Sequence, residues 1–194
     1  MPATRDLYPA RHGQADPTTA NLTDTGRQQA DLLGRRLSRS KPHTLRHGPS
    51  PRTTQTAHQV LTHLPGLTAT PAPEADDHIP HLPTRDELPP PHAEQILAFI
   101  SHLPPQDHAP HLAARALERF TGPVPGQAPR REVLITHAHA MDAPPWRWIS
   151  TPVANAALTV IRYRPHAPAA VIVLNDTAHL PEPLRWSDQP TWRP

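Results

Sequence analysis

The spacing of apolar residues changes several times along the chain, and each change marks an element. Leu7 and Tyr8 open a stretch that runs to Arg11 and reads as a first strand. From about Asp24 to Ser38, Ala30, Leu33, Gly34 and Leu37 recur at i, i+3, i+4 and i+7, the spacing of one buried helical face. Thr23 is a suitable N-cap for that helix, with Asp24 in its first turn. Thr44–Arg46 is a weak second strand, and Arg52–Leu64 a second helix with Ala57, Val60, Leu61 and Leu64 on one side. Leu67–Ala69 suits a short strand, and Pro71 to Pro91, rich in proline and acids, reads as a loop. Helical patterns resume at about His92–Leu103 and His111–Phe120, separated by Pro104 and Pro105. Glu132–His137 is the clearest buried strand, a short apolar run with polar ends. Leu158–Tyr163 and Ala170–Leu174 follow, and their short connection, Arg164–Ala169, suits an antiparallel hairpin.

Strands alternating with helices over the first two thirds predict an α/β fold: a three-layer sandwich whose sheet is mostly parallel, with one antiparallel strand late in the chain. Pro9 is awkward in this scheme, because a central strand cannot spare an amide donor; the strand is either short there or its ladder locally broken. The length of 194 residues fits one domain spanning 1–194, with a proline-rich loop at about 71–91 and a C-terminal arm from about 181.

Composition narrows the function classes. Apolar residues make up only 36% of the chain and 29 residues are proline, which predicts long irregular connections around a folded core. There is no cysteine, which excludes a disulfide framework, a thiolate metal site and a cysteine nucleophile. The N-terminus lacks the apolar run of a signal peptide and no stretch approaches the length of a membrane span, so the expected setting is the cytoplasm, away from membranes. The net charge of +2 is spread along the chain, which gives no ground for nucleic-acid binding. Of the 15 histidines no pair has a convincing ligand context; His108 and His111 flank Pro110 with no clear third ligand, so neither metal nor cofactor is expected. The tryptophans Trp146, Trp148, Trp186 and Trp192 suit anchoring of the C-terminal arm and the segment before it.

One place names a chemistry. Arg11-His12-Gly13 closes the first strand, where an imidazole beside a guanidinium can attack a phosphoryl group whose charge the arginine neutralises. The same tripeptide recurs at Arg46-His47-Gly48, but that copy runs straight into Pro49-Ser50-Pro51 and is the weaker candidate. Reactive residues of an open α/β sheet gather at the carboxyl ends of its strands. By that rule Arg11, His12 and His137 face one crevice, to which Arg52 at the start of the second helix adds a cation and exposed amides.

These residues resemble a family. Arg11-His12-Gly13 with Leu22-Thr23 and Gly26, Ser50-Pro51-Arg52 with Gln55-Thr56-Ala57, and Leu134-Ile135-Thr136-His137 are similar to the successive motifs of the histidine phosphatase superfamily, the phosphoglycerate mutase-like fold. Asn155–Tyr163 and Leu174–Leu180 look like the closing strands of its actinobacterial members. The resemblance implies a metal-independent, two-step phosphoryl transfer, for which a phosphatase acting on a small phosphorylated substrate is the default expectation. His12 accepts the phosphoryl group, Arg11 and Arg52 bind its oxygens, and His137 donates a further hydrogen bond or charge. A carboxylic acid then protonates the leaving oxygen and later activates water. Asp77, before His78-Ile79-Pro80, is the favoured acid; Asp76, Glu74, Asp86 and Glu87 are alternatives, beside the reading of an acidic loop that is merely solvated.

The chain also departs from the family. Between Thr136-His137 and Asp142–Trp148 only Ala138-His139-Ala140-Met141 intervene, where relatives carry a full helix about ten residues longer. That shortening threatens the position of His137, for which His139 is a possible substitute, and so threatens activity. Two rival readings follow from the same pocket: a phosphate- or phosphoprotein-binding module with impaired catalysis, and a phosphomutase. Hydrolysis is preferred over mutase transfer because no insertion encloses a bisphosphate. Substrate identity and oligomeric state are not legible in the sequence.

Overall fold

The computed structural model describes residues 1–103, 108–138 and 152–186. Its strands and helices in order are β1 (Pro2–Ala3), β2 (Arg5–Arg11), α1 (Asp24–Ser38), β3 (Thr44–His47), α2 (Pro51–Leu61), β4 (Ala69–Pro71), α3 (Ala93–Ser101), α4 (Pro110–Phe120), β5 (Val124–Pro125), β6 (Arg130–Thr136), β7 (Leu158–Tyr163) and β8 (Ala170–Asp176). Six strands form one sheet in the order β4-β3-β6-β2-β7-β8. The first four run parallel, β7 is antiparallel to β2, and β8 turns back along β7. This is the mostly parallel α/β sheet with one reversed strand that the sequence predicts.

Helices cover both faces because the strands alternate. Tyr8 and Ala10 of β2 face one side, with Leu45, Val133, Ile135 and Leu158, and pack under Leu33 and Leu37 of α1 and Ala57 and Val60 of α2. Leu7 and Leu134 point the other way and meet Ala72, Ala75 and Phe120 of α4. Burying side chains such as Leu33, Leu37 and Ile135 contributes about 1.5–3 kcal/mol each. α1 begins where the sequence puts it, with the Thr23 hydroxyl accepting from the Gly26 amide at 3.0 Å.

Several expectations change. Pro9 lies in an interior strand, and the β2–β7 register pairs Arg5, Asp6, Leu7 and Ala10 while passing over Tyr8 and Pro9. The ladder is therefore interrupted around the residue that has no amide hydrogen. The strand expected at Leu67–Ala69 forms two residues later, at Ala69–Pro71, because Leu67 still donates to Leu64 in the turn through Gly66. Pro71 is tolerated there because β4 is an edge strand. From 71 the loop holds two short 3-10 turns, a third closes it at Pro90–His92, and it buries Ala72, Ala75, Ile79 and Leu88, so it packs as part of the body. β1 and β5 add a two-stranded antiparallel pair that no periodicity announces. Among the described residues no helix is long and apolar enough to cross a membrane.

Candidate active site

Three adjacent parallel strands bring the candidate residues together. Arg11 pairs with Thr136, and His47 with Ile135, so the carboxyl ends of β2, β6 and β3 finish at one level. β6 then holds both loops that leave it: its Thr136 carbonyl accepts from the His12 amide at 3.0 Å, and its Ile135 carbonyl accepts from the Gly48 amide at 3.0 Å. His12 follows β2 directly, His137 follows β6, and the turn after Gly48 delivers Ser50 as the cap residue of α2.

The loop after His12 is clamped from two sides. The Gly13 amide donates to Thr56 Oγ1 at 3.1 Å, and Thr56 donates in turn to the Arg52 carbonyl at 2.7 Å, joining the loop to the first turns of α2. On the other side it lies against the start of α1. A Cβ built on Gly13 would stand 2.4 Å from the Gly26 carbonyl oxygen, and one on Gly26 would stand 1.9 Å from that of Gln14. Both positions require glycine for close backbone approach.

His12 is buried, at 7% exposure. Its Nδ1 lies 2.7 Å from the Gly13 carbonyl oxygen, which can only accept, so Nδ1 carries the proton and Nε2 keeps its lone pair. Burial first, then the neighbouring His137, Arg11 and Arg52, together push the imidazole pKa down to about 3, against the Gly13 hydrogen bond, which raises it. At neutral pH the ring is uncharged and of fixed tautomer. Its carbonyl is held by the Ala156 amide at 3.1 Å and by Asn155 Nδ2 at 3.3 Å.

His137, 2% exposed, meets His12 edge-on with ring centroids 5.1 Å apart. Its Nδ1 lies 3.4 Å from both Nε and Nη2 of Arg52 and 3.4 Å from Asp77 Oδ2. Its Nε2 faces Ser50 Oγ at 3.4 Å and Asp76 Oδ1 at 3.8 Å. Arg52 Nη2 donates to Asp77 Oδ2 at 2.9 Å. Arg11 Nη1 donates to the Val153 carbonyl at 2.6 Å, so the segment before β7 braces this guanidinium. Arg11, His12, Arg52 and Asp77 line one cavity of about 220 Å³, together with Gln14, Asp16 and Asn155.

The structure thus brings Arg11, His12, Arg52, Asp77 and His137 to one point and leaves Glu74, Asp86 and Glu87 outside the cavity. Glu74 turns away, buried, and accepts from Arg115 Nη2 and Arg119 Nη1 of α4 at 2.8 Å each. Burial raises its pKa, but hydrogen bonds from its own backbone amide, Arg119 and Arg115 outweigh that and hold the carboxyl below its usual range. Glu87 accepts from Thr84 and meets His81, and neither it nor Asp86 lines the cavity. These three alternatives lie outside the cavity, and Asp76 stays near His137. His47 of the second Arg-His-Gly copy repeats the Nδ1 contact to its own following glycine at 2.7 Å, but packs beneath α2 against Thr54 and His58, outside the cavity. Among the described residues no group of three or more His, Asp or Glu is arranged to hold a metal ion.

No local pattern marks Gln14, Asp16 or Asn155 as cavity residues; Asn155 reaches His12 across 143 positions of sequence. Trp186 packs against Val153, Ala154 and Ala157. His139, the shortened segment with Asp142–Trp148, and Trp192 in the C-terminal arm lie outside the described residues.

Residues 7–79 match the family model of the histidine phosphatase superfamily (branch 1). The chain is 31% identical over 195 residues to the mitochondrial serine/threonine-protein phosphatase Pgam5 of Caenorhabditis elegans, and 28% identical over 196 residues to that of Caenorhabditis briggsae. Each alignment covers 92% of this chain, which spans 65% of the length of either relative. In fold it is similar to Bacillus stearothermophilus YhfR (TM-score 0.64, 21% identity, 90% of this chain and 98% of that one). It is similar also to the mycobacterial glucosyl-3-phosphoglycerate phosphatase solved with inorganic phosphate (TM-score 0.62, 20% identity, 91% and 100%). The family model spans the stretch that carries Arg11, His12, Arg52 and Asp77, and the fold is shared along about nine tenths of the chain: over residues 7–79 this chain is similar to the histidine phosphatase superfamily.

Proposed function

We propose that this protein is a phosphatase that hydrolyses a phosphomonoester through a phosphohistidine on His12. The observation that carries the reading is the state of that ring: buried, neutral, with its proton committed to the Gly13 carbonyl and its Nε2 lone pair left to attack, beside two guanidinium groups. Nε2 attacks phosphorus, a P–N bond forms, and the ester P–O bond breaks. Arg11, Arg52 and His137 balance the charge on the phosphoryl oxygens, the interaction that supplies most of the rate in such transfers. Asp77, as the general acid, gives a proton to the leaving oxygen. As a carboxylate it then takes a proton from the attacking water, the P–N bond breaks, and inorganic phosphate departs.

The charge that the transfer needs comes from side chains, so the proposed reaction is metal-independent and proceeds in the presence of a chelator. The substrate is a small phosphorylated compound in a cytoplasmic setting; cell fractionation checks the second point, since the Caenorhabditis relatives are described as mitochondrial. We read the chain as one domain of actinobacterial type, on the closing strands Asn155–Tyr163 and Leu174–Leu180.

The test is capture of acid-labile, base-stable phosphate on the protein during turnover of a generic aryl phosphate. The wild type is expected to trap phosphate and release phenol, and His12→Ala to do neither. Turnover that survives in His12→Ala overturns the reading, and phosphate binding without turnover in the wild type favours the binding module.

A further inference from the structure

The cavity is electrically balanced in an uneven way. Among the described residues its lining holds two cations, Arg11 and Arg52, and two carboxylates, Asp77 and Asp16, with His12 neutral and Gln14 and Asn155 uncharged. On the reading above, a bound phosphoryl group takes both guanidiniums and Asp77 serves the leaving oxygen. What faces the rest of the substrate is then Asp16 and two amides. No cation among the described lining residues is left for a second anionic group.

Asp16 is built to stay charged and in place. Its Oδ1 accepts from the Thr18 amide at 2.9 Å and the Thr19 amide at 2.8 Å. Its own amide donates to the Asn21 carbonyl at 2.8 Å, and its carbonyl accepts from Ala20 at 2.9 Å, closing the turn. The Thr19 and then the Thr18 amide hold the carboxyl below its usual pKa. Among the described residues its hydrogen-bond partners are backbone amides and the Thr19 hydroxyl, with no cation among them.

We infer that Asp16 selects the substrate by charge, favouring phosphomonoesters whose leaving group is uncharged or cationic and bears hydroxyl or ammonium donors. Esters that carry a carboxylate or a second phosphate beside the scissile group are disfavoured. Asp16 is exposed, so water screens its charge and the effect is roughly threefold in affinity for each unit of substrate charge, about tenfold across the two units that separate an ammonium from a carboxylate.

Phosphoethanolamine and phosphoglycolate are the probes, because they match closely in size and differ in the sign of the group beside the ester. The ratio of their kcat/KM values, and of their dissociation constants by calorimetry, is measured for the wild type and for Asp16→Asn, whose amide oxygen still accepts the Thr18 and Thr19 hydrogen bonds. Taking the ratio cancels any general effect of Asp16 on phosphate itself. The wild type is expected to favour phosphoethanolamine by about tenfold, and Asp16→Asn to bring the ratio to within about threefold of unity. The preference should also shrink as ionic strength rises. A wild-type ratio near one, a preference for phosphoglycolate, or a ratio unchanged in Asp16→Asn overturns the inference while leaving hydrolysis standing. If neither probe is hydrolysed but the two bind with an Asp16-dependent ratio, hydrolysis fails and the charge selection stands.

Discussion

Arg52 Nη2 donates to Asp77 Oδ2 at 2.9 Å across 25 positions of sequence, so the cation proposed to hold phosphate is tied to the proposed acid. Substrate must compete with Asp77 for that guanidinium. The two side chains are 24% and 42% exposed, and a pair so placed contributes about 0.2–1 kcal/mol. Asp77→Asn should therefore split the kinetic constants. Inhibition by inorganic phosphate tightens by up to about fivefold, while kcat falls by at least about 100-fold with loss of the acid. A kcat within threefold of wild type would remove Asp77 from the reaction.

The depressed pKa of His12 also sets a pH dependence of stability. Between about 3 in the folded chain and the ordinary 6.5, the unfolded chain binds a proton that the folded one does not. Stability from this group is fully present above about pH 6.5 and is lost as pH falls toward 3, by up to about 1.4 kcal/mol per pH unit. Melting curves from pH 7 to pH 4 should show a steeper fall for the wild type than for His12→Gln. Parallel slopes for the two proteins would show that the ring is not held neutral.

Glu74 offers the opposite separation. Its carboxylate bridges Arg115 and Arg119 and touches nothing in the cavity. Glu74→Gln keeps the shape and removes the charge from two charge-assisted hydrogen bonds, at a cost of about 1.5–3 kcal/mol. Tm should drop by several degrees while kcat stays within about threefold of wild type. An unchanged Tm with a collapsed kcat would make Glu74 the acid in place of Asp77.

Which carboxylates of 74–77 reach the candidate site is not legible in the sequence, and the reason is geometric. Glu74, Asp76 and Asp77 lie within four residues, and no pattern in that stretch says which way each points. A 3-10 turn at Pro73–Ala75 and the arginines of α4, 41 and 45 positions away, decide it by drawing Glu74 outward. Arg11, His12 and His137 were legible because each directly follows or ends an apolar strand run, and parallel strands deliver such residues to one edge. Helix α1 was legible because its cap, Thr23, and its buried positions are local signals. The pairing of Pro2–Ala3 with Val124–Pro125 was not, since two residues are too few to carry a period. Asp16 and Asn155 join the cavity only through tertiary packing, which no single stretch encodes.

The approach of Gly26 to Gln14 ties the helix layer to the His12 loop, and it can be tested against a glycine that does nothing of the kind. An alanine Cβ at position 26 would lie 1.9 Å from the Gln14 carbonyl oxygen, a backbone atom that cannot swing aside. Either the start of α1 or the loop behind His12 must move, at a cost of about 1–3 kcal/mol or more. Gly66 has φ +85 and open space around its missing side chain, so alanine there adds backbone strain of about 1–2 kcal/mol with no collision. Both variants should melt lower than wild type. Only Gly26→Ala should also weaken phosphate binding and slow turnover, because only that glycine abuts the loop whose Gly13 carbonyl fixes the His12 tautomer. Equal kinetic constants in the two variants would mean that the His12 loop takes its position from Thr56 and β6 alone.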